Sequence, residues 1–345
     1  MSETTNGQTQ QRDILLEVKG LKKYFPVQQG WLRRVVGHVK AVDDVSFDVE
    51  RGETLGVVGE SGCGKTTLGR CIVRLYDITD GEINLKNQGQ VIPIARLNRN
   101  EMRDLRSNVQ IIFQDPVASL NPRMSILEIV GEPLLVNGIA KGRELEDRVT
   151  KVIRQVGLRV EHLRRYPHSF SGGQRQRIGI ARALVVNPQL VVADEPVSAL
   201  DVSIQAQTLN LMQSLQQEYG LTYVFVSHDM SVVRHLCDRI AVMYAGKLAE
   251  IGPKHEILSR PKHPYTEALL AAVPKISARY QGKKRQILVG EPPDLANAPS
   301  GCVLSPRCKY AEDICRTEIP PLQKMSDGHF ASCHFSDKLE LVGID

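Results

Sequence analysis

Apolar and polar residues alternate early in this chain. Leu15 to Lys19 predicts a strand, and Val45-Ser46-Phe47-Asp48-Val49 resumes the same period of two. Phe25 to Gly37 reads as an insertion between them. It carries Trp31, Leu32, Val35 and Val36 around Arg33 and Arg34, and an exposed hairpin is expected there rather than an amphipathic turn on a membrane. Leu55 to Val58, Leu190 to Ala193 and Tyr223 to Val226 are short apolar runs of the kind that strands buried on both faces require. Ile204, Thr208, Leu211 and Leu215 mark a helix crossing between the last two runs, so a parallel α/β core is predicted. Residues from about 100 to 188 read as helical. Leu145, Val149, Val152, Ile153 and Val156 form one apolar stripe within them. After Lys254 the pattern weakens, and Pro261, Pro264, Pro274, Pro292, Pro293 and Pro299 punctuate an appended region.

Gly59-Glu60-Ser61-Gly62-Cys63-Gly64-Lys65-Thr66-Thr67 follows the first apolar run. Its glycines let successive backbone N–H groups turn toward phosphate oxygens. Lys65 supplies a point charge for the β- and γ-phosphates, Thr66 a hydroxyl for Mg²⁺, and a helix starting there its positive end. This is a phosphate-binding loop. Cys63 sits inside it beside that helix terminus, where an acidic, readily alkylated thiol is expected.

Asp194-Glu195 ends the second apolar run, at the edge where a doubly wound sheet places its ligands. Asp194 is expected to hold Mg²⁺ through water and Glu195 to polarise the attacking water. His228 follows the third run and is placed to reach the γ-phosphate and steady that water. Ser171-Gly172-Gly173-Gln174 opens a further helix with the spacing of a capping box, so a serine hydroxyl, two glycine amides and a helix N-terminus present a second anion site.

Composition narrows the alternatives. A chain of 345 residues with 42% hydrophobic and 24% charged residues can bury a large core. The net charge of +5 is dispersed, with short basic clusters at Arg164-Arg165 and Lys283-Lys284-Arg285, and aromatic residues make up 5%. A nucleic-acid partner is therefore not expected. No apolar run reaches the roughly 18–20 residues that span a bilayer, and the polar start lacks the core of a signal peptide, so a cytosolic chain is expected. Residues 1–13 are expected to be disordered.

In order and spacing, Gly59 to Thr67, Gln114, Ser171 to Gln174, Leu190 to Glu195, Ser198 to Asp201 and His228 resemble the ATP-binding cassette of ABC transporters over residues 14–255. Phe170 stands where leucine is commonest in that family. The resemblance implies a P-loop NTPase cassette: a RecA-like core, an antiparallel β subdomain and an α-helical subdomain. It implies ATP and Mg²⁺ as ligands. ATP contacts would come from Ser61, Gly62, Cys63, Gly64, Lys65, Thr66 and Thr67, with Tyr24 stacking on adenine, Gln114 sensing the γ-phosphate and Mg²⁺, and Asp201 bridging a dimer. Ser171, Gly172, Gly173 and Gln174 would cap ATP held by the opposite subunit.

Asp115 to Arg123, Lys262 to Leu270 and the insertion after Tyr24 resemble the dipeptide and oligopeptide importer group, most of all its F-type ATPase subunits. Nickel and glutathione importers share much of this pattern, and soluble ABC ATPases of translation or DNA repair are the rival from another class. The importer resemblance implies a second, homologous ATPase subunit, two transmembrane permease subunits, an extracytoplasmic peptide-binding protein, and a place on the cytoplasmic face of the inner membrane.

Cys302, Cys308, Cys315 and Cys333, with five, six and seventeen residues between them, lie in a C-terminal region, residues 256–345, too poor in apolar residues to make much core alone. Four thiolates gripping a metal would replace that core. A [4Fe–4S] cluster suits the set, as the family resemblance also suggests, whereas zinc more often takes paired Cys-x-x-Cys spacing; four thiols that hold no metal are the third alternative. Cys71 and Cys237 read as buried hydrophobes.

Overall fold

The computed structural model of the chain describes residues 12–31, 34–87, 89–273, 288, 290–296 and 298–344. Met1 to Gln11, Leu32, Arg33, Pro274 and the Lys283-Lys284-Arg285 cluster lie outside these. Arg12 and Asp13, expected to be disordered, are held by ion pairs to Glu50 and Arg51.

The chain opens with a long antiparallel hairpin, β1 (Ile14–Gln29) and β2 (Arg34–Glu50). The residues read as an insertion are its outer half, since Val27 pairs with Gly37 and Gln29 with Arg34. Trp31 at the tip is 93% exposed, as an exposed hairpin requires. β4 (Asp80–Asn87) and β5 (Gln90–Pro93) complete this four-stranded sheet in the order β2-β1-β4-β5.

A second sheet of eight strands holds the predicted parallel core. β3 (Thr54–Val58), β6 (Val109–Ile112), β7 (Leu190–Asp194), β8 (Thr222–Ser227) and β9 (Arg239–Tyr244) run parallel in the order β9-β3-β8-β7-β6. Every residue of β3, β7 and β8 is buried. Their side chains divide by parity: Leu55, Val57, Val192, Val224 and Val226 enter one core, while Val58, Val191, Ala193, Tyr223 and Phe225 enter another on the opposite face. A continuous apolar run thus serves two cores at once, which is why no alternation shows. β6 lies within the stretch read as helical; its four residues are too few for periodicity to separate strand from helix.

Helices pack on both faces. α1 (Lys65–Ile72) follows the phosphate loop, and α2 (Arg99–Leu105) precedes β6. α3 (Ile126–Val136), α4 (Gly142–Gln155) and α5 (Gly172–Leu184) form the helical part of the chain, α4 burying the predicted Val149, Val152 and Ile153. α6 (Val202–Tyr219) is the crossover helix between β7 and β8, and α7 (Met230–Leu236) leads into β9.

The appended region is built onto the same sheet. β10 (Lys247–Pro253) pairs with β9, and after α8 (Lys254–Ser259), α9 (Pro264–Ala272) and α10 (Asp313–Thr317) the chain returns as β11 (Gln323–Ser326) and β12 (His329–Ala331). β12 pairs with β10. Glu250, fully buried on β10, is satisfied by the Lys262 and His263 amides and by His329 Nε2 at 2.7 Å, so the return strand is fixed by a buried polar group with its partners in place. No helix among the described residues is long and apolar enough to cross a membrane.

Candidate nucleotide site

The phosphate loop sits between the central strand β3 and α1. Gly59 and Gly64 have φ of 157° and 106°, and a Cβ there would lie 2.2 Å from the Met243 carbonyl oxygen and 2.0 Å from that of Ala41. Both positions therefore exclude any larger residue. Buried Lys65 donates through Nζ to the Gly59 and Glu60 carbonyls, each at 2.8 Å, and lies 3.8 Å from Cys63 Sγ. Ser61 is exposed and Thr67 half-buried, while Gly64 caps α1 without a side-chain hydrogen bond.

β7 delivers the two acids as its apolar run ends. The Thr66 hydroxyl donates to Asp194 Oδ1 at 2.8 Å, and Arg70 Nε lies 3.9 Å from Asp194 Oδ2, an oxygen that is buried and accepts no hydrogen bond. Burial pushes the Asp194 carboxyl up, against the pull of Thr66 and Arg70. Such a hydroxyl and under-satisfied carboxylate fit a hard cation that takes oxygen ligands.

Glu195 lies one residue on, with φ of 47°, in the left-handed region that an ordinary side chain rarely occupies. Its amide donates to Val226 of β8, and its carbonyl accepts from Ser198 Oγ, so the turn is braced on both sides. One carboxylate oxygen, Oε2, receives Gln114 Nε2 and meets His228 Nδ1, both at 3.0 Å. The structure thus gathers Glu195, His228 and Gln114 around one atom. Gln114, expected also near Mg²⁺, is directed at Glu195 here.

Ser171 to Gln174 stand apart from this group. The capping box has formed: Ser171 Oγ accepts from the Gln174 amide at 3.3 Å, and Gln174 Oε1 from the Ser171 amide at 3.1 Å. Ser171 and Gly172 are exposed. A Cβ on Gly173 would lie 2.5 Å from Ile204 Cγ2, so glycine lets the start of α5 close on the start of α6, where Asp201 is exposed at the N-cap. Among the described residues no hydrogen bond joins Ser171 to Gln174 with the phosphate loop.

Tyr24 is half-buried on β1, and its hydroxyl donates to Asp43. Asp43 pairs with Lys247 at 2.8 Å and donates its amide to Gly246, whose own amide donates to Cys63 of the phosphate loop. Tyr24 is thereby tied to the loop through residues whose spacing gave no sign of it. Lys40 Nζ lies 5.7 Å from the Tyr24 ring centroid.

The acidic thiol expected at Cys63 is not found. Cys63 is 5% exposed, and burial pushes its thiol up more strongly than Lys65 pulls it down. Thiolate is then scarcer at neutral pH than in a free cysteine, so iodoacetamide should label Cys63 more slowly at pH 7 than an exposed cysteine, with the rate still climbing above pH 9. A rate that levels off below pH 8 would contradict the burial argument.

Cys302, Cys308, Cys315 and Cys333 come together around one small cavity, all four as free thiols. The Phe335 amide donates to Cys333 Sγ at 3.5 Å, and burial pushes the Cys333 thiol up to about 12. Among the described residues no group of three or more Cys, His, Asp or Glu is arranged to hold a metal ion.

Comparison with known proteins agrees with this geometry. Residues 42–198 match the family model for ABC transporters, and residues 249–315 that for the oligopeptide/dipeptide transporter C-terminal region. The chain is 51% identical to the oligopeptide transport ATP-binding protein AppF of Bacillus subtilis, over 94% of this chain and 98% of that one. It is 49% identical to the dipeptide transport ATP-binding protein DppF of Haemophilus influenzae, over 94% and 97%. Among solved structures, the dimeric ATP-binding cassette MJ0796 bound to ADP and Pi superposes with a TM-score of 0.61 at 28% identity, covering 70% of this chain and 99% of that one. The chain belongs to the ABC transporter family, as an ATPase of the group of ATP-binding proteins that carry the oligopeptide/dipeptide transporter C-terminal region.

Proposed function

We propose that this chain is the ATP-hydrolysing subunit of an importer of dipeptides or oligopeptides, working at the cytoplasmic face of the inner membrane. Its partners are a second, homologous cassette, two transmembrane permease subunits and an extracytoplasmic peptide-binding protein. Residues 14–255 act as the cassette, with a helical part from about 100 to 188, and residues 256–345 as the importer-type extension.

One observation supports the mechanism: among the described residues no hydrogen bond joins the Ser171 helix terminus to the phosphate loop, and we read the two as separate anion-binding surfaces. Each chain then supplies half of two sites. Lys65 and the loop amides bind the β- and γ-phosphates of ATP, a phosphate oxygen replacing the weakly accepting Cys63 sulfur at Lys65 Nζ. Tyr24 receives the adenine. Thr66 and Asp194 would hold Mg²⁺, which when bound neutralises charge on the phosphate oxygens, and Gln114 would have to turn from Glu195 to join them. Glu195 takes a proton from the attacking water, and His228 and Gln114 hold its carboxylate in place. The opposite chain's γ-phosphate is capped by Ser171 to Gln174, while Asp201 lies on the shared face.

Because ATP touches both chains, it favours the closed pair, and loss of the γ-phosphate removes that preference. Reversing an open population of 99:1 takes about 5.5 kcal/mol, within reach of two triphosphates held by charge-assisted bonds. The closure is transmitted to the permeases through Asp115 to Arg123. Purification of the intact complex from membranes should recover two polytopic subunits and a second cassette. Recovery of ribosomes or DNA-repair factors with no polytopic partner would overturn the proposal.

The four cysteines are read as a [4Fe–4S] site, with zinc as the alternative. As placed, the four do not form a metal-holding group; support comes from their lining one cavity and from the donor set, which suits either. Metal analysis of chain purified anaerobically should find iron, or else zinc, bound in proportion to protein and lost on Cys308→Ser. Absence of both would remove the assignment.

A further inference from the structure

We infer that Arg307, far outside the cassette in sequence, is a positioning residue for ATP binding, neutralising and holding Glu60 within the phosphate loop. This rests on reading Gly59 to Thr67 as the ATP site.

Glu60 is an unfavourable residue in that place. It puts a carboxylate five positions before Lys65, in a loop whose ligand is a polyanion. Arg307 answers it with both prongs, Nη1 to Oε2 at 2.8 Å and Nη2 to Oε1 at 3.1 Å. A bidentate guanidinium–carboxylate pair is the strong form of this contact. The Arg307 side chain is 7% exposed and that of Glu60 29%, so solvent screens the pair less than a fully exposed one. Tyr244 supports it: its hydroxyl accepts from Nη1 at 3.2 Å, and its ring lies 5.8 Å from the guanidinium carbon.

The rest of Glu60 is tied as well. Its amide donates to the Tyr265 hydroxyl at 2.7 Å, and its carbonyl accepts from Lys65. Tyr265 packs against Tyr244 with ring centroids 4.5 Å apart and the ring planes tilted by 54°. Arg307 and Tyr265 therefore grip one residue of the phosphate loop from 247 and 205 positions away. The segment that carries Arg307 is the one that carries Cys302 and Cys308. The charge presented by the phosphate loop is thus set by the C-terminal extension.

The test is titration of the full chain with mant-ATP and Mg²⁺, with thermal midpoints measured alongside. Arg307→Ala should weaken binding on the order of tenfold, and adding Glu60→Gln should restore it to within about twofold, because the unpaired charge is then gone. Arg307→Lys, which keeps the charge but not the two-pronged contact, should lose about threefold and covers the case in which Arg307→Ala does not fold. Unchanged binding in Arg307→Ala or in Arg307→Lys, or a double variant as weak as Arg307→Ala, would each overturn the inference. Failure of the wild-type chain to bind mant-ATP would instead overturn the reading of the loop as an ATP site.

Discussion

Glu195→Gln is expected to lower ATP turnover by about 10²- to 10⁴-fold, the range of a lost general base, while ATP affinity stays within about threefold. The size of the effect follows from the geometry. Gln114 and His228 both meet Oε2 of Glu195, which fixes the carboxylate, and the braced turn at φ 47° holds the backbone beneath it. Glutamine has the same shape and can accept the same contacts, so the site should remain assembled. What it loses is the ability to take a proton. The triphosphate would then bind and bridge two cassettes without being cleaved, and the closed pair should accumulate. Turnover within tenfold of wild type would remove Glu195 from the role assigned to it.

Lys65→Ala should act at an earlier step. Charge-assisted hydrogen bonds contribute about 1.5–3 kcal/mol each, so loss of the ammonium should weaken ATP binding by about 10- to 150-fold. The loop itself also suffers, because the Gly59 and Glu60 carbonyls that Lys65 ties together lose their partner. The two substitutions therefore separate: one abolishes turnover with ATP bound, the other removes ATP. Equilibrium mant-ATP binding and steady-state hydrolysis distinguish them, and near wild-type affinity in Lys65→Ala would contradict the role given to the ammonium.

These residues were legible in the sequence because their chemistry is local. A glycine-rich turn, a Lys-Thr pair and an acidic pair closing an apolar run each declare themselves within a few positions, as does the capping box from Ser171 to Gln174. The parallel core was legible for the same reason. Contacts made across the fold were not. Nothing near Glu60 points to Arg307 or Tyr265, and nothing near Tyr24 points to Asp43 and Lys247. Cys63 shows the converse failure. Its neighbours in sequence, a lysine and a helix terminus, argue for an acidic thiol, yet burial outweighs them. The C-terminal extension reads as poor in core because apolar residues are sparse in it. It gains order by adding β11 and β12 to an existing sheet edge, held through His329 and Glu250.

On the proposed mechanism each ATP is held by the phosphate loop of one chain and the Ser171 helix terminus of another. The membrane complex with Lys65→Ala in this chain tests this, using ATP that carries a photoreactive group on the γ-phosphate. Labelled peptides are then identified by mass spectrometry. The peptide containing Ser171 to Gln174 should still be labelled, because the ATP it caps is bound by the partner cassette. Loss of that label together with Lys65 would show that both surfaces serve one nucleotide within a single chain, and would contradict it.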